Sequence, residues 1–384
     1  MKKVLLLGSG TQALALAKDL HEGDYFVILL TKFRHSYADD SRYVDKFFLT
    51  EAEVGDDLYH HTVVDIIETH KIDAIIPMGD ITARYVSKNK DVLEKITHIK
   101  VPAIEVFEKG YDKNSLMAYC KNKGFPQPFT LNTINLDVLK SQELPFPMLI
   151  KPNYTCGGRG MTLVNSYAEL KEKYPIIKEQ YGECHLQQYI KQGGHQVEVQ
   201  LLIAEDGSLL ASSVIKKYRW YPENGGSSCC ATAVENKEIV NILHKLLNGL
   251  GWVGFADFDT IEDPDTGQLL IMELNPRVPA CVRTAIEGGV SWGKIIASFY
   301  LGEQLPEINF KKGVILRHLG FETLWFLHSK NRFKTKPIWF KLFGSNIFYQ
   351  DFSKKDWKPL IYGTWNNIKK QLNPSFRKSK SGTR

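Results

Sequence analysis

The stretch that decides the fold runs from Gly254 to Arg277 and reads GFADFDTIEDPDTGQLLIMELNPR. Two segments rich in apolar residues, 254–261 and 268–275, flank the turn-rich sequence EDPDTG. Asp, Pro and Gly in this order favour a reversal of the chain, so the stretch predicts an antiparallel hairpin.

Acidic residues of the two hairpin strands are predicted to face one another. A turn centred on Asp265 places Asp257 opposite Glu273. Directly opposed like charges destabilise a sheet unless something compensates them. Period-two geometry puts Glu273, Asn275 and Arg277 on one strand face. Oxygen ligands from Asp257, Glu273 and Asn275 suit Mg²⁺, while a solvated face with an Arg277 ion pair is the alternative. Asp259 lies on the same face as Asp257 and can take its place.

A glycine-rich loop lies upstream of the hairpin. Lys151 ends a predicted strand, and the sequence Thr155-Cys156-Gly157-Gly158-Arg159-Gly160 follows. Because glycines lack a Cβ, their backbone N–H groups can approach phosphate oxygens closely. The loop joins strand to strand, and the chain lacks the GxxxxGK[ST] string of a P-loop, so an ordinary flexible hairpin is the alternative. Lys151 at the strand end favours the phosphate interpretation.

An extended segment lies between this loop and the hairpin. The residues Leu186-Gln187-Gln188-Tyr189-Ile190 are followed closely by His195-Gln196-Val197-Glu198. Such a segment can offer backbone groups to an adenine ring and side chains to a ribose. Polar loop residues without a ligand are the alternative for His195 and Gln196.

The order of predicted elements indicates an α/β protein with three parts. Residues 1–104 alternate short apolar runs with helical patterns, which predicts a parallel sheet covered by helices. Residues 105–305 contain predicted strand pairs, with a glycine-rich lobe at about 125–190. Residues 306–384 are basic and aromatic, and the chain after about residue 373 is predicted to be disordered.

Composition excludes several classes of protein. The chain has 384 residues, 43% of them hydrophobic, which suffices for a buried core and argues against a disordered chain. Its apolar runs are shorter than the roughly 18 residues of a membrane-spanning helix. The six cysteines form no CxxC pair, so neither a zinc site nor a disulfide framework is indicated, and a cytoplasmic location is expected.

The positive charge of the chain is concentrated near its end. From Lys311 to Arg384 there are 17 Lys and Arg against three Asp and Glu, whereas the first 310 residues hold 32 basic and 40 acidic side chains. This region, with its interleaved aromatic residues, can bind an anionic surface weakly. Alternatively, the aromatic residues pack a small subdomain and solvated lysines cover it. No specific nucleic acid is expected.

Taken together, the motifs resemble those of the ATP-grasp superfamily. The matching features are Lys113 after Asp112, Lys151 with its glycine-rich loop, the linker Gln187 to Ile190, Asp257, and Glu273-Leu274-Asn275-Pro276-Arg277. Their order and spacing agree over about residues 105–300, and the segment before them is similar to the Rossmann-like pre-ATP-grasp domain. The nearest likeness is to carboxylate-amine ligases of the carbamoyl phosphate synthase large subunit-like and D-aspartate ligase-like groups. This resemblance implies a parallel-sheet domain, a two-lobed ATP-grasp α+β domain and a small basic aromatic C-terminal region.

The resemblance also implies roles for individual residues. The implied ATP-binding residues are Lys113, Lys151, Thr155, Gly157, Gly158, Gly160, Gln187, Gln188, Tyr189, Ile190, and Gln196 or Glu198 at the ribose. Asp257, Glu273 and Asn275 would carry one or two Mg²⁺, with Mn²⁺ as an alternative. Arg277 would stabilise the transferred phosphoryl group.

The implied activity is ATP-dependent formation of a C–N bond. A substrate carboxylate attacks the γ-phosphorus of ATP to give an acyl phosphate, and an amine then displaces phosphate. The catalytic candidates are Lys151 and Arg277, with Arg219 and Arg283 as clamps for the substrate carboxylate. Bicarbonate as the acid, giving carboxyphosphate, is the alternative. The expected partners are small-molecule carboxylates and amines, and a homodimer is compatible with the sequence.

A dinucleotide fingerprint at the start of the chain supports a rival class. The sequence Gly8-Ser9-Gly10-Thr11-Gln12-Ala13 follows a predicted strand and fits GxGxxA, as in NADP-dependent oxidoreductases. Thr31-Lys32-Phe33-Arg34 after the second strand lacks the acidic residue that binds the ribose of NAD, although Arg34 suits a 2′-phosphate. Binding of NADPH without binding of ATP would favour this alternative.

Overall fold

The computed structural model describes residues 1–154, 159–190, 196–221, 223 and 227–372. The strands in this part of the chain are β1 Lys3–Leu7, β2 Phe26–Thr31, β3 Lys46–Leu49, β4 Ala74–Pro77, β5 Thr130–Leu131, β6 Met148–Pro152, β7 Thr162–Val164, β8 Cys184–Gln188, β9 Gln196–Ile203, β10 Leu209–Tyr221, β11 Ser227–Val234, β12 Gly254–Glu262, β13 Leu269–Asn275, β14 Ile315–Arg317 and β15 Ile347–Tyr349. The helices are α1 Thr11–His21, α2 Asp57–His70, α3 Asp80–Lys88, α4 Lys90–Leu93, α5 Ile104–Tyr111, α6 Lys113–Lys123, α7 Leu136–Leu139, α8 Tyr167–Tyr181, α9 Lys237–Leu250, α10 Arg283–Glu287, α11 Trp292–Leu301, α12 Leu319–His328 and α13 Lys358–Leu372.

The first sheet is parallel and has the strand order β3-β2-β1-β4. Its central strands are continuous apolar runs that are buried on both faces, as in parallel sheets covered by helices. The predicted parallel sheet is therefore confirmed. The sequence did not indicate β3, because this edge strand, KFFL, is mostly exposed and lacks a buried apolar pattern.

A second sheet, of order β5-β8-β6-β7, is antiparallel throughout. Helix α8 packs on it, and Leu170, Tyr174 and Ile177 of that helix share a buried cluster with Met148 and Ile150 of β6. Ser166 caps the helix by accepting a hydrogen bond from the Glu169 N–H. The sheet thereby presents the end of β6, where Lys151 lies, to the rest of the molecule.

The largest sheet has seven strands in the order β13-β12-β9-β10-β11-β14-β15. Helices α6 and α9 pack on one face of it, and α1, α10 and α11 share the buried core on the other. Asp19 of α1 accepts hydrogen bonds from the N–H groups of Gly293 and Lys294, which ties α11 to the parallel-sheet layer. Strands β14 and β15 come from the basic aromatic region, which thus extends this sheet at its edge.

The predicted hairpin is present as β12 and β13, but its register differs from the prediction. Asp257 pairs with Asn275 and Asp259 pairs with Glu273, so the expected opposition of Asp257 and Glu273 is wrong. The last paired residues are Glu262 and Leu269, so the turn is centred between Asp265 and Thr266 and not on Asp265 as predicted. A β-bulge next to Asp259 then leaves Met272 as an extra residue on β13. Together these features shift the partners by two positions.

No helix in the described ranges combines the length and the apolar character that crossing a bilayer requires.

Candidate active site

Carboxylate and amide side chains converge where β9, β12 and β13 lie side by side. Asp259 faces Glu273 on one neighbouring strand and Glu198 on the other. The Asn275 amide donates to Asp259 Oδ2 over 3.2 Å and to Asp257 Oδ2 over 3.4 Å. The site is therefore rich in negative charge and is organised around Asn275.

Asp257 and Asp259 have different environments. Asp257 is fully buried, and the Gln200 amide donates to its Oδ1 over 2.7 Å. Burial, together with Glu198 and Asp259, holds the pKa of Asp257 well above its usual value. Burial also opposes ionisation of Asp259, but Lys217 outweighs it and the pKa of Asp259 is lowered. The environment thus favours the charged form of Asp259 over that of Asp257, and the Asn275 amide bridges the two side chains.

Lys113 approaches this cluster from the first position of α6. Asp112 caps the helix by accepting the Ser115 N–H over 2.6 Å, which fixes where α6 begins. The Lys113 Nζ lies 3.3 Å from Glu273 Oε2. An ammonium group thus stands next to one of the carboxylates of the cluster.

Lys151 reaches the same place from the second sheet. Its side chain is buried and donates to Gln187 Oε1 over 2.9 Å, while the Gln187 amide donates to Thr130 Oγ1 over 3.2 Å. Burial, with a smaller contribution from Lys113, lowers the pKa of Lys151 to about 8, although Glu273 opposes this shift. Lys151 is therefore a buried amine that is held by the Gln187 side chain, and an anion next to it would favour its charged form.

Lys217 of β10 is a site residue that the sequence analysis missed. Its Nζ lies 3.1 Å from Asp259 Oδ1 and forms an ion pair with Glu198, which also accepts a hydrogen bond from the Cys281 thiol. Burial opposes the charge on Lys217, but Asp259 and Glu198 outweigh it and hold its pKa well above the usual value. Lys217 is one of several basic residues in the run Lys216-Lys217-Tyr218-Arg219, and only the strand order shows that it is the one that reaches the carboxylates.

Arg277 connects the cluster to the parallel sheet. Its Nε donates to Asp80 Oδ1 over 3.0 Å, and its Nη2 lies 3.5 Å from Asn275 Oδ1. Burial opposes its charge, but Asp80, Asp257 and Asp259 together raise the pKa of Arg277. Asp80, the first residue of α3, carried no motif in the sequence, so this contact could not have been anticipated.

The predicted adenine-binding residues of the linker, Gln188, Tyr189 and Ile190, make contacts in two different places. The Gln188 N–H donates to Phe129 O over 2.8 Å and the Tyr189 N–H donates to Pro147 O over 3.0 Å, so both amides serve the lobe itself. Ile190 instead forms a small buried cluster with Ile261 and Leu270 of the hairpin. Such an apolar cluster beside the carboxylates suits one face of an adenine ring.

Two predicted ribose ligands lie on β9. Glu198 is buried against Lys217 and Cys281, whereas Gln196 is half-buried and pairs with Lys217 and Ile261 across the ladders. Gln196 is thus the more accessible of the two.

The glycine-rich loop is described only in part. Thr155, Gly157 and Gly158 lie outside the described residues. Gly160 has a φ of 70°, and a Cβ there would lie 2.7 Å from the Tyr181 ring and 2.9 Å from Pro152. Glycine at this position therefore has a packing reason that is independent of any ligand.

Arg219 and Arg283, the two predicted clamps for the substrate carboxylate, bind other residues of the chain in the structure. Arg219 donates from Nη2 to Glu322 Oε1 over 2.7 Å and from Nη1 to Pro337 O over 2.6 Å. Arg283 donates from Nε to Glu287 and from Nη1 to the carbonyls of Tyr349 and Phe352. Both guanidinium groups thus hold the C-terminal region against the sheet, and these contacts account for them without a substrate.

The chemistry of the carboxylate cluster fits Mg²⁺. Within the described ranges, no three His, Cys, Asp or Glu side chains form a ready-made metal site. Asp259 and Glu273 nevertheless supply hard carboxylate oxygens on adjacent strands, and Asn275, whose Nδ2 contacts Asp259 and whose Oδ1 contacts Arg277, would add an amide oxygen if its side-chain amide turned over. Mg²⁺ commonly binds through one or two carboxylates and completes its coordination with phosphate oxygens and water, so a partial protein ligand set is what such a site requires.

Comparisons with known proteins agree with this geometry. Residues 112–288 match the family model described as "Carbamoyl-phosphate synthase L chain, ATP binding domain". The C-terminal section of the carbamoyl phosphate synthase large chain of Methanopyrus kandleri is 20% identical over 343 residues, covering 81% of this chain. The chain spans 60% of that relative and only 29–31% of several full-length large chains.

Solved structures show the same fold. Biotin carboxylase of Campylobacter jejuni, in complex with an ATP analogue, has a TM-score of 0.66 at 16% identity, covering 82% of this chain and 74% of that one. An L-amino acid ligase of Bacillus licheniformis has a TM-score of 0.63 at 14% identity, covering 82% of this chain and 78% of that one. The family model over residues 112–288 and these shared folds agree with the resemblance to the ATP-grasp superfamily that the motifs predicted.

Proposed function

We propose that this ATP-grasp protein is an ATP- and Mg²⁺-dependent ligase that activates a carboxylate as an acyl phosphate for attack by an amine. One observation supports this most strongly. The ammonium groups of Lys113 and Lys151 and the carboxylates of Asp259 and Glu273 converge on one place from four elements, α6, β6, β12 and β13. Isolated surface ion pairs are exposed and do not bring a buried lysine with a lowered pKa close to two opposed carboxylates. This combination is instead typical of functional sites.

In this proposal the chain's own residues divide the work. Lys113 and Lys151 hold the phosphates of ATP, and Ile190 with its apolar neighbours lies against the adenine ring. Mg²⁺, held by Asp259, Glu273 and Asn275, supplies neutralisation of phosphate charge and polarisation of a phosphoryl oxygen. Arg277, oriented by Asp80, stabilises the negative charge that develops on the transferred group.

The bond changes follow from these positions. A carboxylate oxygen of the substrate forms a bond to the γ-phosphorus, and the bond from that phosphorus to the bridging oxygen of ADP breaks. The amine then attacks the acyl carbon, and phosphate leaves. Because water would destroy the acyl phosphate, we assign the lobe at about 125–190 the role of a lid.

A second candidate has bicarbonate as the acid. The matched relative is a carbamoyl phosphate synthase section and a structural neighbour is a biotin carboxylase, whereas another neighbour is an L-amino acid ligase. Since substrate contacts lie outside the shared ATP-binding motifs, the same machinery supports either acid. Five further points stay predictions. They are the number of metal ions, the binding of Mn²⁺, the division of the chain at residues 104 and 305, the cytoplasmic location and the homodimer.

The test is a screen for ADP release. Purified protein is incubated with ATP over amino acids, paired acids and amines, and bicarbonate, with and without Mg²⁺. We expect substrate-dependent ADP release that requires Mg²⁺ and is lost in Glu273→Gln. If NADPH binds and ATP does not, the oxidoreductase alternative replaces this proposal.

A further inference from the structure

One stretch of the C-terminal region contains only positively charged residues among its charged side chains, and it also contains several exposed apolar side chains. Between residues 323 and 350 there are five Lys and Arg and no Asp or Glu. More than half of the surface of several large apolar side chains in this stretch is exposed: Leu327, Phe333, Ile338, Phe340 and Phe343. Phe343 reaches 84% exposure and Phe333 reaches 70%. We call these five residues the apolar patch.

The apolar patch rests on a packed base. Phe326 lies 4.2 Å from Trp339 and 5.5 Å from Phe340, measured between ring centroids, and Phe333 stacks on Phe340 at 6.2 Å. The Trp339 indole donates to Glu322 O over 3.1 Å. The exposed rings of Phe333 and Phe340 therefore belong to a packed cluster of aromatic residues.

The base is also tied to the main sheet. Arg219 of β10 donates to Thr335 Oγ1 over 3.1 Å and to Pro337 O over 2.6 Å, while it pairs with the buried Glu322. Arg219 is almost fully buried, so these hydrogen bonds form in a dry environment where they are strong. This arrangement gives the segment a defined orientation relative to the sheet.

Cations alternate with the residues of the apolar patch along the chain. The Arg332 guanidinium lies 5.4 Å from the centroid of the Phe333 ring and 5.9 Å from that of Phe326. The remaining cations of the stretch are exposed along it: Lys330, Lys334, Lys336 and Lys341. We call these five cations the basic rim. Exposed apolar side chains interspersed with exposed cations are the pattern of proteins that lie on a bilayer interface.

We propose that the apolar patch and its basic rim dock this protein on the surface of an anionic lipid bilayer. The apolar side chains enter the boundary between headgroups and acyl chains, and the lysines contact anionic headgroups. This inference rests on the C-terminal region alone and does not depend on the proposed ligase activity.

Two other occupants fit less well. A second copy of this chain seated patch to patch would bring two sets of five cations together without an acidic residue of the stretch between them. A nucleic acid would meet the positive charge, but Leu327 and Ile338 can neither stack on bases nor form hydrogen bonds with them. The exposed aliphatic side chains gain only in an apolar medium.

The experiment is co-sedimentation of the full chain with phosphatidylcholine vesicles, with and without phosphatidylglycerol. We expect sedimentation only with the anionic vesicles and release at high salt. Phe333→Ser/Phe343→Ser is expected to weaken binding by about tenfold or more, because two apolar side chains no longer enter the interface. Lys334→Glu/Lys336→Glu is expected to weaken it by a similar factor.

Matched variants control for general effects of these changes. Leu58→Ser/Ile176→Ser removes two apolar side chains on α2 and α8 that are 66% and 59% exposed. Lys121→Glu/Lys123→Glu makes the same charge change at exposed positions of α6. Both are expected to bind as wild type, and thermal unfolding of each variant checks that the fold is retained.

Several results would overturn the proposal. Wild-type protein that stays in the supernatant with anionic vesicles excludes the docking surface. Vesicle binding that is unaffected by Phe333→Ser/Phe343→Ser assigns it to charge alone. Binding to single-stranded RNA but not to vesicles, or a dimer in solution that the same variant dissociates in the absence of vesicle binding, would give the surface to one of the other two occupants.

Discussion

Asp259 lies directly opposite Glu273 across the ladder of β12 and β13, next to the bulge that sets the register there. Lys217 contacts Asp259 on one side, and Lys113 contacts Glu273 on the other. Two carboxylates thus meet on adjacent strands, each with a lysine beside it, and a divalent cation between them would interact favourably with both. This arrangement is the physical basis of the proposed metal site.

The corrected register predicts different outcomes for the two aspartates. Asp259→Asn removes a proposed metal ligand and is expected to lower kcat/KM for ATP more than about a hundredfold. Asp257→Asn keeps the shape of a buried side chain whose oxygens already accept from two amides, so a loss of about tenfold is expected. Steady-state ADP release measures both. If Asp257→Asn is the more damaging change, the assignment of ligands must be reversed.

Lys151 predicts a decline of activity at alkaline pH. Its pKa is lowered to about 8, mainly by burial, so the charged form that binds phosphate is lost as pH rises through 8. We expect kcat/KM for ATP, which reports the free enzyme, to fall about tenfold per pH unit above about 8. Lys151→Arg retains its charge at these pH values and should lack this limb. The same limb in the arginine variant would show that another group titrates.

Gln187 is expected to position Lys151. Gln187→Met removes the acceptor that holds the buried ammonium group, which should raise KM for ATP about tenfold and lower the free energy of unfolding by about 1–3 kcal/mol. Urea unfolding and the dependence of rate on ATP measure the two effects. Gln188→Met, at the next position, is the matched control, because its side chain lies on the other face of β8. Equal effects of the two variants would argue against the positioning role.

Lys217 is expected to hold the carboxylate cluster together. Lys217→Met leaves Glu198 and Asp259 without their shared cation and should lower the free energy of unfolding by about 3–5 kcal/mol. Adding Glu198→Gln to it removes one of the unpaired charges and should restore part of that loss. Lys216→Met, in the neighbouring and more exposed pair with Glu262, should change stability by less than about 1 kcal/mol. No recovery in the double variant would contradict this account of the ion pairs.

Much of the architecture was predictable from local patterns. The apolar runs of β1, β2 and β4 and the amphipathic α9 follow directly from residue periodicity, and the motif order identified the superfamily. The exposed edge strand β3 and the strand β11, SSCCATAV, lack such periodicity. Their pairing depends on partners that are distant in sequence.

The site was predictable as a set of elements but not in its details. A bulge shifts every partner beyond it, and nothing in the hairpin sequence specifies where it falls. Lys217, Asp80 and Cys281 enter the site through strand order and interdomain packing, which periodicity does not encode. Arg219 and Arg283 are arginines near the right motifs, yet the contacts that engage them come from residues 322–352, far along the chain.

The central claim concerns what lies between Asp259, Glu273 and Asn275. The most direct measurement is a crystal structure with a non-hydrolysable ATP analogue and Mn²⁺ in place of Mg²⁺, with anomalous diffraction used to locate the metal. We predict an anomalous peak within about 2.5 Å of oxygens of Asp259 and Glu273, with the phosphates in contact with Lys113 and Lys151. Nucleotide bound elsewhere, or bound here with no metal between the two carboxylates, would contradict the account.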